Sequence, residues 1–264
     1  MNLFAKTLLR IARHQPFNRG PFRRRALHYL QRRTNGAIHA DYRGVPFIFN
    51  LDNPTEQKAL FGFYNNEEID YLIERTRGQP ANFVDLGANS GFYSQVFLFH
   101  AAPHSKLLAI EPNPAMRERI AANIQLIEDA LRARQIEFAV ESRAASDRDA
   151  ELYLNLQSGA GAAHVEDRAG QHSIRIQTRK LRDLLEEHGF TRIDLLKVDI
   201  EGHEDRALLP FFDDAPPALY PQSIIIEHSS DQSWQGDLWG KLRSLGYREI
   251  LRTRGNAILE LERR

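Results

Sequence analysis

A doubly wound α/β sheet is the fold this sequence predicts, and three observations predict it. A strand, a glycine turn, a helix and a second strand follow one another from Asn82 to Pro112. Apolar runs and helical stretches then alternate through the rest of the chain, and a pair of strands closes it. The apolar runs also end repeatedly on acidic or polar residues: Asp85 and Gly87, Glu111, Ser146 and Asp147, Asp199 and Glu201, Glu227 and His228. Ligands of open α/β sheets bind beyond the carboxyl ends of the strands, so these five strand ends describe one shared edge.

Taken in order, Leu3, Phe4, Thr7, Leu8 and Ile11 share a face and predict a short amphipathic helix over Asn2–His14. Pro16, Gly20 and Pro21 break it, and a second helix is expected over Phe22–Arg33. Ile38–Tyr42, a turn at Arg43–Gly44 and Val45–Leu51 read as a hairpin, and Pro54 opens a new segment. Glu67–Arg77 reads as a helix ended by Gly78, leading into the strand Phe83–Leu86 and the turn Gly87–Gly91. A helix from Phe92, a strand Leu107–Ile110, one long helix over Ala115–Ala133 and a strand Glu137–Glu141 follow. Glu151–Leu156 and Ser173–Thr178 alternate like edge strands, around a small-residue loop at Ser158–Gly161 whose glycines could hinge a lid. Leu181–His188 is a helix, Ile193–Val198 and Ser223–Ile226 are buried strands, and Asp237–Leu245 is a helix. Arg248–Leu251 and Ala257–Leu261 form the closing pair. The division is a basic helical and hairpin extension over residues 1–66 and the α/β domain over 67–264.

The chain has 264 residues, 42% of them apolar, enough for a sizeable core. Cysteine is absent, which excludes disulfides, thiolate metal sites and a cysteine nucleophile. Lys6 and Arg10 interrupt the first apolar stretch, so no signal-peptide pattern is present, and a cytoplasmic protein is expected. The net charge of zero hides a segregation. Nine of the 35 Lys and Arg lie in residues 1–33, which hold no acid, so all 35 Asp and Glu face the other 26 bases in the remainder. The first reading is a solvated helix pair packed through complementary charge; peripheral contact with an anionic membrane is the second, and nucleic acid the last.

At the turn, Gly87 and Gly91 allow the backbone to approach a ligand, and the helix behind it favours a negative group. Glu111 stands about twenty residues on, where a carboxylate accepts hydrogen bonds from both hydroxyls of a ribose. Ribose and an anionic tail together point to an adenosine cofactor.

The turn DLGANSGFYS, the pair Glu111-Pro112 and the segment LLKVDIEGHE resemble the FkbM family of S-adenosylmethionine-dependent methyltransferases over about Asn82–Leu261. The resemblance implies a class I methyltransferase fold, a Rossmann-like sheet of seven strands with the last antiparallel, and O-methylation of a hydroxyl on a sugar, a glycan or glycolipid, or a secondary metabolite. It places Asp85, Gly87, Asn89, Gly91 and Ser94 around the methionine portion of the cofactor. Glu111 falls on the ribose with Asn113 beside it, Ser146 and Asp147 near the adenine, and Asp199 facing the transferred methyl. His203 stands where the family commonly has a small residue. The catalytic set is His228 as first base, His203 as second, and Asp199; Lys197 is expected to pair with Glu201 or a more distant acid. Asp199, Glu227 and His228 together offer donors to a divalent ion, but no metal ligands are assigned. Two rivals remain: a non-catalytic cofactor-binding subunit of a membrane-associated glycan biosynthesis complex, and an NAD-binding oxidoreductase. The second lacks both a full GxGxxG and a Tyr-x-x-x-Lys pair.

Overall fold

The computed structural model describes all residues except 1–2, 15–16, 19, 157–163, 167 and 263–264. They form two units, Met1–Asn66 with Ala121–Glu128, and Glu67–Ile120 with Asp129–Arg264.

In the first unit, helices α1 (Leu3–Ala12) and α2 (Gly20–Arg33) precede a hairpin of β1 (Ala37–Tyr42) and β2 (Val45–Asn50), and α3 (Pro54–Leu60) follows. Arg43 and Gly44 both take positive φ, 54° and 85°, which suits the right-handed twist of a two-residue hairpin. Val45, Phe47 and Phe49 alternate inward along β2. Asn53 caps α3 by accepting the N–H groups of Thr55 and Glu56, with Pro54 at the first helical position. The Ile48 N–H donates to Asn123 Oδ1 at 2.8 Å, which ties the return segment 121–128 into this unit.

The second unit begins with α4 (Asn66–Thr76), β3 (Asn82–Leu86), α5 (Phe92–His100), β4 (Lys106–Ile110) and the first part of α6 (Pro114–Gln125), whose residues from Ala121 on belong to the first unit. Then come α7 (Glu128–Ala133), β5 (Glu137–Glu141), β6 (Ala144–Ser146), β7 (Ala150–Asn155), β8 (His164–Glu166) and β9 (Ser173–Lys180). It ends with α8 (Leu181–Glu187), β10 (Leu195–Val198), α9 (Glu204–Asp214), β11 (Ser223–Glu227), α10 (Leu238–Ser244), β12 (Tyr247–Arg252) and β13 (Asn256–Leu261). The main sheet has seven strands in the order β12-β13-β11-β10-β3-β4-β5, and β13 runs antiparallel to both its neighbours. From β3 the chain moves outward through β4 and β5, then returns to lay β10 and β11 on the other side of β3. The strand order therefore reverses between β3 and β10, where such sheets open a crevice. Val84, Leu86, Leu108, Ile110, Leu196, Val198, Ile224 and Ile226 belong to one buried cluster on this sheet. That agrees with the near-continuous apolar runs of strands buried on both faces.

Two expectations change. The single helix over Ala115–Ala133 is two, α6 and α7, because Leu126 and Ile127 donate to Asn123 and Ile124 in tight three-residue turns that end the first. Glu128 and Asp129 then start the second, where acids suit the helix dipole. The alternating segments around Glu151 and Ser173 are not edges of the main sheet. They form a separate four-stranded sheet, β6-β9-β7-β8, over a small core of Ala144, Leu152, Leu154 and Ile176. The loop Ser158–Gly161, with its proposed glycine hinges, lies outside the described residues.

Candidate functional site

At the crevice, the turn after β3 leans on the end of β10. Gly87 has φ +80°, and a Cβ there would lie 1.9 Å from the Asp199 carbonyl oxygen. A Cβ on Gly91 would meet the Ile120 side chain at 3.0 Å. Gly87 is thus required by the protein's own packing, and Gly91 by its backbone at φ +81° together with a tight approach to Ile120. The neighbouring strand and helix add a second demand for glycine beside the expected approach of a ligand.

Beneath the turn, Asp85 is fully buried. Its Oδ2 accepts the Ser94 hydroxyl at 2.7 Å and the Ser94 N–H at 3.2 Å, capping α5 from below. Its Oδ1 faces Lys197 Nζ at 3.6 Å, and the same ammonium lies 3.6 Å from Asp199 Oδ2 and donates to the Gly87 carbonyl at 2.6 Å. Lys197 also sits 5.6 Å from the centre of the Tyr93 ring. Burial by itself would lower the Lys197 pKa, but Asp199, Asp85 and Glu111 more than reverse that and hold it above its ordinary value. Lys197 is a charged tie between β10 and the turn, and it is no proton acceptor. Its partners are Asp85 and Asp199, not Glu201.

Glu111 closes β4 and is 7% exposed. Its Oε2 accepts the Asn89 N–H at 2.7 Å and its Oε1 the Asn113 N–H at 2.8 Å, so the carboxylate bridges the glycine turn and the start of α6. Asn89 holds φ +51° and accepts the Ser90 N–H on its own Oδ1, a local bond that offsets the left-handed backbone. Asn113 accepts the Ala115 N–H at 3.0 Å, a cap on α6. Burial raises the Glu111 pKa, and the two backbone donors oppose that rise. Each oxygen still has a lone-pair direction for a further hydroxyl.

The LLKVDIEGHE segment forms the opposite wall. Glu204, fully buried, accepts the Ile200 N–H at 2.8 Å and the Gly202 N–H at 3.3 Å, and its other oxygen takes the Trp234 indole N–H at 2.8 Å. These bonds shape the turn that carries Asp199 and Glu201, with Glu201 at φ +55° and Gly202 at φ +93°. Trp234 and Trp239 lie 5.4 Å apart and are half-buried; the Trp239 N–H donates to Asp231 at 3.2 Å. Burial, then the Asp199, Glu227 and Glu204 charges, push Glu201 up to about 8. Burial and the Asp199 charge push Glu227 to about 7, and its buried Oε2 has no hydrogen-bond partner. Among the described residues, no group of three or more His, Cys, Asp and Glu is arranged to hold a metal ion.

The other sequence-derived candidates fall in two places. His203, 6% exposed, stands at the start of α9 without a side-chain bond to the helix, and its Nε2 lies 2.9 Å from Ser146 Oγ. Asp147, beside Ser146, pairs with Arg206 of α9 at 3.3 Å. His228 turns toward the β12–β13 connection, with its Nε2 donating to the Thr253 carbonyl at 3.2 Å and its backbone N–H to Gly255. Glu201 and Glu227 are absent from the sequence-derived site set, though both were legible as strand-end acids. What singles them out is mutual charge and burial, which only the register of β10 beside β11 provides.

A sheet in this order, with a glycine turn at the reversal and a buried acid closing the next strand, is the class I methyltransferase fold. The chain belongs to the FkbM family: the methyltransferase FkbM domain matches residues 85–249. Its similarities include the AMB antimetabolite synthetase AmbE of Pseudomonas aeruginosa, 28% identical over 176 residues, 55% of this chain and 8% of that one. Another is the 2-O-methyltransferase NoeI of Sinorhizobium fredii, 25% identical over 172 residues, 59% of this chain and 66% of NoeI. The crystal structure of methyltransferase FkbM from Methylobacillus flagellatus is similar with 16% identity and a TM-score of 0.43, over 89% of this chain and 58% of that one. The chain spans less than two thirds of each of these relatives.

Proposed function

We propose that this chain is an S-adenosylmethionine-dependent O-methyltransferase acting on a hydroxyl of a sugar, a glycan or glycolipid, or a secondary metabolite. The observation that carries the reading is Glu111, a buried carboxylate clamped by two backbone N–H groups at the mouth of the crevice. Its remaining lone pairs fit the two hydroxyls of a ribose. The acid-rich wall of Asp199, Glu201 and Glu227 fits a cationic ligand, and the buried, unbonded Oε2 of Glu227 lacks a donor.

When bound, S-adenosylmethionine supplies an electrophilic methyl on a sulfonium. Asp85, Lys197 and Ser94 hold the turn rigid beneath it. Asp199, partly exposed, receives the ammonium of the methionine portion. Ser146 and Asp147 would stand toward the adenine end, and His203 holds the Ser146 hydroxyl. Glu227, pushed up to about 7, is the carboxylate that would accept the proton of an acceptor hydroxyl. It takes this role ahead of His228, whose Nε2 is committed to Thr253. Acceptor chemistry at oxygen is supported by NoeI, which is named a 2-O-methyltransferase. The half-buried pair Trp234 and Trp239 beside the acidic turn suits the apolar face of a sugar ring.

Calorimetry tests the donor. The wild type is expected to bind S-adenosylmethionine, and Glu111→Ala to weaken binding about tenfold or more, as loss of charge-assisted hydrogen bonds implies. Unchanged binding in Glu111→Ala, or binding of NAD with no response to S-adenosylmethionine, rejects the reading. Transfer of labelled methyl across a panel of sugars, glycolipids and hydroxylated metabolites then identifies the acceptor.

A further inference from the structure

Within the first unit, α1 buries Ala5, Leu9 and Ala12, and turns Phe4, Lys6, Thr7, Arg10 and Ile11 outward. Phe4 and Ile11 are seven residues apart, hence on one line of the helix, with half-buried Leu8 between them. Phe4 is 61% exposed, Ile11 40% and Phe17, just beyond the helix, 43%. An ordinary solvated helix puts charge on that line. The apolar line borders the packed face on one side, Lys6 and Arg10 border it on the other, and Thr7 stands between the line and the two bases. Further bases stand exposed on α2 at Arg24, Arg25, Arg32 and Arg33, and no acid occurs in residues 1–33.

We propose that this face docks on the headgroup region of a bilayer containing anionic lipid. An in-plane helix needs apolar side chains to enter the acyl boundary and bases to reach the headgroups; α1 offers the first, and the acid-free pair of α1 and α2 the second. Its ten residues rise about 15 Å, half the depth of a bilayer core, so the helix lies on the surface and does not cross it. Each base near an anionic surface contributes about 1 kcal/mol, roughly fivefold in affinity, and the contribution fades within a Debye length. A nucleic acid would satisfy the arginines but would leave Phe4 and Ile11 in water. The lipid surface accounts for both features.

Flotation of the full chain with phosphatidylcholine vesicles, with and without phosphatidylglycerol, tests the proposal. Binding is expected only with phosphatidylglycerol, weakening as salt rises. It should fall about tenfold or more in a Phe4→Ser/Ile11→Ser/Phe17→Ser variant and likewise in Arg24→Glu/Arg25→Glu. Both variants should keep the wild-type melting temperature and donor binding, since all the substituted side chains are exposed. No flotation with phosphatidylglycerol at low salt overturns the proposal. So does flotation that the serine variant leaves unchanged, or binding of single-stranded RNA in place of vesicles.

Discussion

At Gly87 two strands meet with no room for a methyl group, and this is where a single atom has the largest expected effect. A Cβ would sit 1.9 Å from a backbone oxygen, on a residue already at φ +80°. Gly44 is a natural control, with φ +85° and nothing within 4 Å. Gly44→Ala should cost about 1–2 kcal/mol from the backbone alone. Gly87→Ala should cost well over that, or prevent folding, since β3 and β10 must separate to admit the methyl. Chemical denaturation of the two variants measures the difference, and equal losses would show that the turn yields freely. The sequence showed that a glycine was needed at this position. It did not show why, because the clashing atom belongs to a residue 112 positions away. Glu111 was different: its place after an apolar run marked it as a strand-end acid, and the structure adds the two backbone partners that clamp it. The link from Lys197 to Asp85 could not be read for the same reason as the Gly87 clash, as pairing across strands depends on register.

The turn from Asp199 to Glu204 gathers like charges that an isolated loop would spread apart. Glu204 pins its backbone, and the neighbouring end of β11 brings Glu227 alongside. Glu201 and Glu227 are raised from 4.5 to about 8 and about 7, so the folded state holds protons that the unfolded chain releases. Their contribution to stability is therefore complete below about pH 4.5 and is lost as pH rises through 7 to 8. Glu227→Gln should flatten this decline and raise the melting temperature at pH 8.5 by about 2 °C or more. A thermal melt series identical to wild type rejects it. A cationic donor favours the ionised carboxylates, so donor binding near pH 7 should also release protons, visible as a binding heat that depends on the buffer. The segment LLKVDIEGHE was conspicuous in sequence through its spacing. Its electrostatic character was not, because raised carboxylates need both burial and neighbours.

Over the whole chain, the main sheet was legible because its strands are short apolar runs that end on chemistry. The second sheet was not. Ala144–Ser146 and His164–Glu166 are only three residues each, too short for any period to emerge, and Glu151–Leu156 reads the same at the edge of either sheet. The split of the helix at Leu126 was hidden too, since nothing in the residues marks 121–128 as part of the first unit. One feature of the main sheet bears on how the chain is made. Strand β13 pairs with β11 on one side and β12 on the other, so β12 has no partner in the sheet until residues 256–261 arrive. On the ribosome, the half of the sheet from β3 through β5 can pair early. The open flank of β11 must wait for residues 256–261, exposing its N–H and C=O groups to other chains in the meantime. Removing residues 256–261 should therefore yield aggregated protein, read as loss of the soluble fraction on expression; a soluble product that binds donor would refute this order. Synthesis of residues 256–261 is thus the step that covers the adhesive flank of β11 in the nascent chain.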